Sequence, residues 1–299
     1  MERLRTALEQ SGVLTETDCL LSHHSTFRIG GIADLAIFPK NAQELIEAIR
    51  LCRKSETRTA VIGNGSNVLF ADEGFRGAVV FTRRMRDFSD EPNGFRASCG
   101  TSLATLANAA RRRELTGFEF AWGIPASMGG AVCMNAGAHG GEMSQIVTET
   151  ECYDPDRDTC LTLCGEEHEF GYRASIYEKS PQLILLSARV VLQKGDRNEI
   201  DAKMKSILAK RRATQPLDLP SAGSAFKRPK GLFAAKLIED CGLKGCHIGG
   251  AEVSKKHAGF IVNRGGATAS DVLALTEHIQ ETVFQKMGVM LEPEFRVIR

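Results

Sequence analysis

Apolar and polar positions change period twice along this chain. DLAIFP (34–39) reads as a short strand, NAQELIEAIRLCRKS (41–55) carries apolar residues at helical spacing, and TAVIG (59–63) and GAVVFT (77–82) are short apolar runs again. The pattern predicts a strand–helix–strand unit, with Asn41 capping the helix and Glu44 completing a capping box. From about residue 95 strand-like segments dominate: FRASCG, IVTETECYDP, TCLTLC and LILLSARVVL, with one helical stretch, TSLATLANAARRRE. This composition predicts an antiparallel sheet under helical cover, an α+β arrangement. A charged helix, RNEIDAKMKSILAKRRAT, follows Gly195, and a domain boundary falls near 197–205. Beyond it, helices LFAAKLIEDCG and TASDVLALTEHIQETVFQKMG enclose the strand AGFIVN. The chain closes on MLEPEFRVIR, a strand expected to return to the middle domain.

Composition narrows the function classes. A chain of 299 residues with 42% hydrophobic content can bury a substantial core divided over two or three domains. Its 38 basic and 37 acidic residues leave a net charge of +1, so no broad field gathers nucleic acid or holds an anionic membrane. Any anionic ligand must be held by local groups. The longest apolar stretch, Leu183 to Leu192, is broken by Arg189, and MERLRTALEQ is amphipathic rather than signal-like, so a soluble cytoplasmic protein is expected. Nine scattered cysteines without a CxxC pair imply reduced thiols, with neither a disulfide framework nor a metal site.

Two glycine-rich segments carry candidate chemistry. In VIGNGSNVLF, Gly63 and Gly65 free the backbone to turn and expose successive N–H groups, while Asn64, Ser66 and Asn67 add side-chain donors. This is an anion nest suited to a pyrophosphate, or an ordinary polar turn. A Rossmann fingerprint is excluded, because G-x-G-x-x-G is absent and the segment runs on into a strand. The second segment, GIPASMGGAVCMNAGAHGGEM (123–143), holds six glycines and few large side chains. Such a run lets main chain lie flat against a ligand, or packs tightly as a loop through the core. Two such loops in one chain favour a dinucleotide. In PSAGSAFKRP (220–229), Ser224 belongs to no nucleophile elbow, since Ala222 and Phe226 stand where G-x-S-x-G needs glycine.

These residues resemble those of the UDP-N-acetylenolpyruvoylglucosamine reductase (MurB-type) flavoenzymes of peptidoglycan synthesis. The resemblance rests on TFRIGG (26–31), GNGSNVLFADEGFRG (63–77), GIPASMGGAVCMNAGAHGGE (123–142), GYRAS (171–175), QPLDLPSAGSAFK (215–227), AAKLIEDCGLKG (234–245), HAGFIVN (257–263) and LEPEFR (291–296), eight motifs in the family's order. It implies an α+β FAD-binding fold of the vanillyl-alcohol-oxidase (PCMH) type: 1–83 and 84–200 as two FAD-binding subdomains, with 290–299 returning to the second, and 201–289 as a substrate domain. It also implies noncovalent FAD, NADPH as reductant and a nucleotide-sugar substrate; no nucleic-acid or membrane partner is expected, and the sequence leaves the oligomeric state open, with a monomer expected. Gly63, Asn64, Gly65, Ser66, Asn67, Gly123, Pro125, Ser127, Gly130 and Asn135 would then contact the cofactor. Tyr172, Lys227, Arg228 and His257 would lie near the substrate. Ala126 and Arg228 depart from the family's usual glycine and asparagine, and the missing insertion between Arg173 and Ser224 marks the short class.

The implied reaction reduces an enolpyruvyl ether to a D-lactyl ether. A double bond conjugated to a carboxylate accepts electrons only if the arriving charge is stabilised, and product forms only if a proton reaches the neighbouring carbon. By resemblance, Arg173 and Glu294 clamp the carboxylate, the glutamate staying protonated with a raised pKa, and Ser224 donates the proton. An oxidase of a small alcohol or sugar on the same fold would show covalent flavin and fast reaction with oxygen. A non-catalytic nucleotide-sugar sensor would not need Arg173, Ser224 and Glu294 together.

Overall fold

Asn41 caps the first long helix as the sequence predicts. Its Oδ1 accepts the Glu44 N–H at 2.8 Å, and Ala42–Lys54 follows. The returning bond from Glu44 Oε2 goes to the Lys40 N–H at 2.9 Å, one residue earlier than a capping box requires. The computed structural model describes residues 1–299 and divides into two units. The first holds Met1–Thr17, Leu35–Asn64 and Gly77–Lys210; the second holds Asp18–Asp34, Gly65–Arg76 and Arg211–Arg299. No helix is long and apolar enough to cross a membrane.

A four-stranded sheet, most of whose residues belong to the first unit, has the order Leu14–Leu20, Ile32–Phe38, Phe75–Phe81, Thr59–Ile62. The predicted strand–helix–strand unit is therefore split, because Phe75–Phe81 lies between the two strands that flank the helix and pairs in parallel with Thr59–Ile62. A five-stranded antiparallel sheet follows, ordered Thr159–Cys164, Val147–Asp154, Ile184–Val191, Gly94–Ser98, Phe88–Glu91. Its wet face carries cross-strand ion pairs among Glu91, Arg96, Glu149 and Arg189. Its dry face buries Phe95, which meets Phe118 edge to face at 6.3 Å. One apolar core runs from Leu4 to Met204 and takes in Leu45, Ile49, Phe95, Leu106 and Val190. This shared core joins in one unit most of what the sequence divided at residue 84.

In the second unit the sheet order is Ser221–Ser224, Phe260–Asn263, Ala251–Val253, His247–Ile248. Helix Ala269–Met287 packs Val272, Leu275, Ile279 and Val283 into a separate core, a spacing of three and four that keeps them on one face. Two aspartates start this helix. Asp271 forms a capping box with Thr268, and Asp72 accepts from Ala269 N at 2.6 Å, Ser270 N at 2.9 Å and Ser270 Oγ at 2.8 Å. The C-terminal strand does not return to the middle domain. Arg296–Ile298 pairs in parallel with Val68–Phe70 inside the second unit. Leu291 and Phe295 are buried in that unit's core, and this fixes where the segment goes.

Glu119 supplies a pH-dependent element of stability in the first unit. Its side chain is 3% exposed; Oε1 accepts from Thr116 Oγ1 at 2.6 Å, Oε2 accepts from Gly117 N at 3.0 Å, and Lys203 Nζ lies at 3.3 Å. Burial pushes its pKa up, but these donors outweigh burial and hold it below the ordinary carboxylate value. A depressed folded-state pKa gives stability that is present above the unfolded value and lost as pH falls through the folded one. Glu119→Gln should therefore cost about 1–3 kcal/mol at pH 7, with the gap closing on acidification below about pH 4. Thermal unfolding at both pH values measures this, and equal stabilities at pH 7 would show that the carboxylate contributes nothing.

Candidate active site

The two glycine-rich segments meet in the first unit. Gly63 sits directly on the Ser127 hydroxyl, where an added methyl would overlap it, and Asn64 Nδ2 donates to Pro125 O at 3.3 Å. Ser127 is 1% exposed and accepts from Gly130 N at 3.3 Å, starting a short helix, Met128–Cys133, where the sequence reads as loop. Gly123, just ahead, adopts φ +88°. Cys99 lies under Gly129, whose N–H donates to its carbonyl at 2.7 Å; burial pushes the Cys99 thiol up to about 12, so it offers no thiolate near neutral pH.

The second half of the first glycine loop belongs to the second unit. Gly65 has φ +64°, and an added methyl would overlap the His24 carbonyl, so only glycine fits. The main-chain N–H groups of Asn64, Gly65, Ser66 and Asn67 have no acceptor within the chain. Successive free amides in a glycine-containing turn are the donor set that a diphosphate takes, so these residues fit the pyrophosphate of FAD.

Thr26 ties this loop to the Ser224 strand. Its N–H donates to Gly65 O at 3.1 Å, its Oγ1 to Ser221 O at 2.7 Å, and its carbonyl accepts the Ser221 N–H at 3.2 Å. Asn67 makes a second tie: its Nδ2 donates to Glu294 O at 3.1 Å and its carbonyl accepts Arg296 N–H at 2.9 Å. The Glu294 segment runs antiparallel to the chain after Ser224, through Glu294 N to Ala225 O at 2.9 Å and Lys227 N to Glu292 O at 2.8 Å. Ser224 and Glu294 are thereby brought together on neighbouring segments. Ser224 itself is exposed and opposes Phe260 across a register slip of one residue, with Gly223 at φ +79° inside the slip. A bulge of this kind turns the following side chain away from its regular direction.

Other expected residues find partners of their own. Lys227 Nζ pairs with Glu292 Oε1 at 2.5 Å, and the Arg228 guanidinium stacks 4.6 Å from the ring centre of Phe233, which is 61% exposed. His257 Nδ1 accepts Gly259 N–H at 3.2 Å, which assigns the proton to Nε2; burial lowers its pKa, with Lys244 adding to the effect. In the first unit, Arg173 stands at the tip of a turn, with φ +55°, its Nη2 donating to Gly137 O at 3.2 Å and its guanidinium 5.1 Å from the Tyr172 ring centre. Asn135, expected at the cofactor, spends its side chain elsewhere. It is 1% exposed and bonds Gly171 O, Glu142 Oε1 and Ser144 N. Thr26 and Asn263 carry no role in the sequence reading. Asn263 Nδ2 donates to Phe27 O at 3.1 Å, a contact across 236 positions that no local spacing reveals.

A family model for an FAD binding domain matches residues 33–162, and one for the C-terminal domain of UDP-N-acetylenolpyruvoylglucosamine reductase matches 215–298. UDP-N-acetylenolpyruvoylglucosamine reductase of Caldanaerobacter subterraneus subsp. tengcongensis is 46% identical over 278 residues, 93% of this chain and 91% of the relative. The crystal structure of the Thermus caldophilus reductase superposes with a TM-score of 0.81 at 35% identity, covering 96% of this chain and 99% of that one. A variant of berberine bridge enzyme, 16% identical, shares the fold alone, with a TM-score of 0.52 over 65% of this chain and 44% of its own. On identity and coverage together, the chain belongs to the UDP-N-acetylenolpyruvoylglucosamine reductase family.

Proposed function

We infer that the chain is an NADPH-dependent, FAD-containing oxidoreductase. It reduces the enolpyruvyl ether of UDP-N-acetylenolpyruvoylglucosamine to the D-lactyl ether of UDP-N-acetylmuramate, a step in making peptidoglycan precursors. The observation that supports the assignment of roles is the pairing of Glu294 N–H with Ala225 O, which puts the segment carrying Glu294 next to the one carrying the exposed Ser224. FAD, when bound, supplies the two-electron carrier between NADPH and the substrate double bond.

The chain's own residues then handle charge and the proton. Electrons arriving at the terminal carbon push charge onto the adjacent carbon and its carboxylate. Arg173 takes the carboxylate with its guanidinium fork, a geometry suited to two parallel hydrogen bonds. Glu294, held by its own backbone at Ala225 and Asn67, presents a carboxyl group to the same anion. Ser224 gives its hydroxyl proton to the adjacent carbon. The free amides of 64–67 hold the cofactor diphosphate, and Arg228 on its Phe233 platform meets the substrate diphosphate. Lys227 reaches that diphosphate only by leaving Glu292. These roles fit a cytoplasmic enzyme, since NADPH is a cytoplasmic reductant.

Purified protein should be yellow, with about one FAD per chain released by acid or heat. A colourless preparation that takes up no FAD would overturn the reading. Ser224→Ala should keep FAD and its bleaching by NADPH while slowing reoxidation by substrate by about 10²–10⁴-fold or more. Stopped-flow flavin absorbance separates the two half-reactions, and reoxidation within about tenfold of the parent would remove Ser224 as donor. Arg228→Ala should raise KM for the nucleotide sugar more than it lowers kcat. An unchanged KM would place that guanidinium away from the diphosphate.

A further inference from the structure

The turn that carries Arg173 is gripped from outside. Gly171 and Ala174 close it with two main-chain bonds, N–H of Gly171 to Ala174 O at 3.0 Å and N–H of Ala174 to Gly171 O at 3.2 Å. Arg173 occupies its second central position in the left-handed region, which a long side chain rarely adopts. Such a turn holds its shape only where the surroundings over-determine it. One short stretch, Cys133–Gly137, does this at three points. Asn135 Nδ2 donates to Gly171 O at 2.9 Å, Ser175 Oγ donates to Cys133 O at 2.8 Å, and Gly137 O accepts from the Arg173 guanidinium.

Asn135 is itself fixed. It has φ +40°, a conformation asparagine tolerates better than most residues, and its amide has no spare donor. Its second N–H goes to Glu142 Oε1 at 3.1 Å, and its Oδ1 accepts Ser144 N–H at 2.9 Å; Ser144 Oγ in turn donates to Glu142 Oε1 at 2.5 Å. The site demands two donors and one acceptor on a short planar group, which asparagine alone provides. Ser175 is fully buried as well.

We propose that Asn135 is a positioning residue for Arg173, holding the turn so that the guanidinium is aimed before substrate arrives, with Ser175 securing the turn's far end. This rests on the reading of Arg173 as the carboxylate clamp. Asn135→Asp keeps the shape but sets an acceptor against the Gly171 carbonyl and the Glu142 carboxylate, so the turn is released. The side chain acts through Arg173 and not on the cofactor, because both of its N–H groups are already engaged.

The test is made on the FAD-loaded enzyme by stopped-flow absorbance. Asn135→Asp should retain FAD and be bleached by NADPH within about twofold of the parent, while reoxidation by the enolpyruvyl substrate slows by about 10²-fold, as expected for a misplaced catalytic group. Ser175→Ala should shift the same step in the same direction by less. Combined with Arg173→Ala, Asn135→Asp should slow reoxidation no further than Arg173→Ala alone, because its target is gone. Additive losses in the double variant, or loss of FAD or of bleaching in step with reoxidation, would overturn the proposal. If Asn135→Asp fails to fold, Ser175→Ala in the same cycle decides. Reoxidation at the parent rate by Arg173→Ala would instead sink the clamp reading and the proposal together.

Discussion

Asn67 is the residue on which the second unit's part of the site depends. Its side-chain amide holds the Glu294 carbonyl and its own carbonyl holds the Arg296 N–H, so the end of the glycine loop and the C-terminal segment are one hydrogen-bonded piece. Parallel pairing of Arg296–Ile298 with Val68–Phe70 begins at the next residue and extends this tie into a ladder. Each such bond contributes only about 0.5–1.5 kcal/mol to stability. Their value lies in register: a slip by one residue would turn Glu294 to the opposite face of its segment. Thr26 does the same for the other edge by holding Gly65 and Ser221 at once.

Local signals in the sequence located the elements that make their own hydrogen bonds. Asn41 at the head of Ala42–Lys54 and Thr268 at the head of Ala269–Met287 cap helices through side chains within three residues, and spacing reveals such contacts. Helix Met128–Cys133 escaped the same reading because Gly129 and Gly130 lower helix propensity, and Ser127 with close packing on Cys99 compensates. The route of the C-terminal strand also escaped, since the burial of Leu291 and Phe295 that decides it involves partners far away in sequence.

The site divides along the same line. Gly63, Gly65, Arg173, Ser224 and Glu294 are proposed on family motifs that mark them, and the main-chain N–H groups of 64–67 find no main-chain acceptor, which fits the donor loop that the composition suggests. Asn135 shows what the sequence does not convey. Its position within a glycine-rich segment points to the cofactor, whereas its bonds run to Gly171, Glu142 and Ser144. The difference is one of direction, and a sequence does not state where a side chain points.

Burial separates the residues proposed to meet the substrate from those proposed to position them. Ser224, Tyr172 and Arg228 are exposed, whereas Asn135, Ser127 and Ser175 are nearly or fully buried with their polar atoms engaged. A group that must give up a proton or meet a phosphate has to be reachable by its ligand, and leaving it in water costs little. A positioning group has the opposite requirement. Its bonds hold direction only where water cannot compete for them, so it must be buried, and a buried polar atom left without a partner costs about 1–3 kcal/mol. Arg173 stands between the two classes: it is half-buried, and one N–H of its guanidinium is held by Gly137.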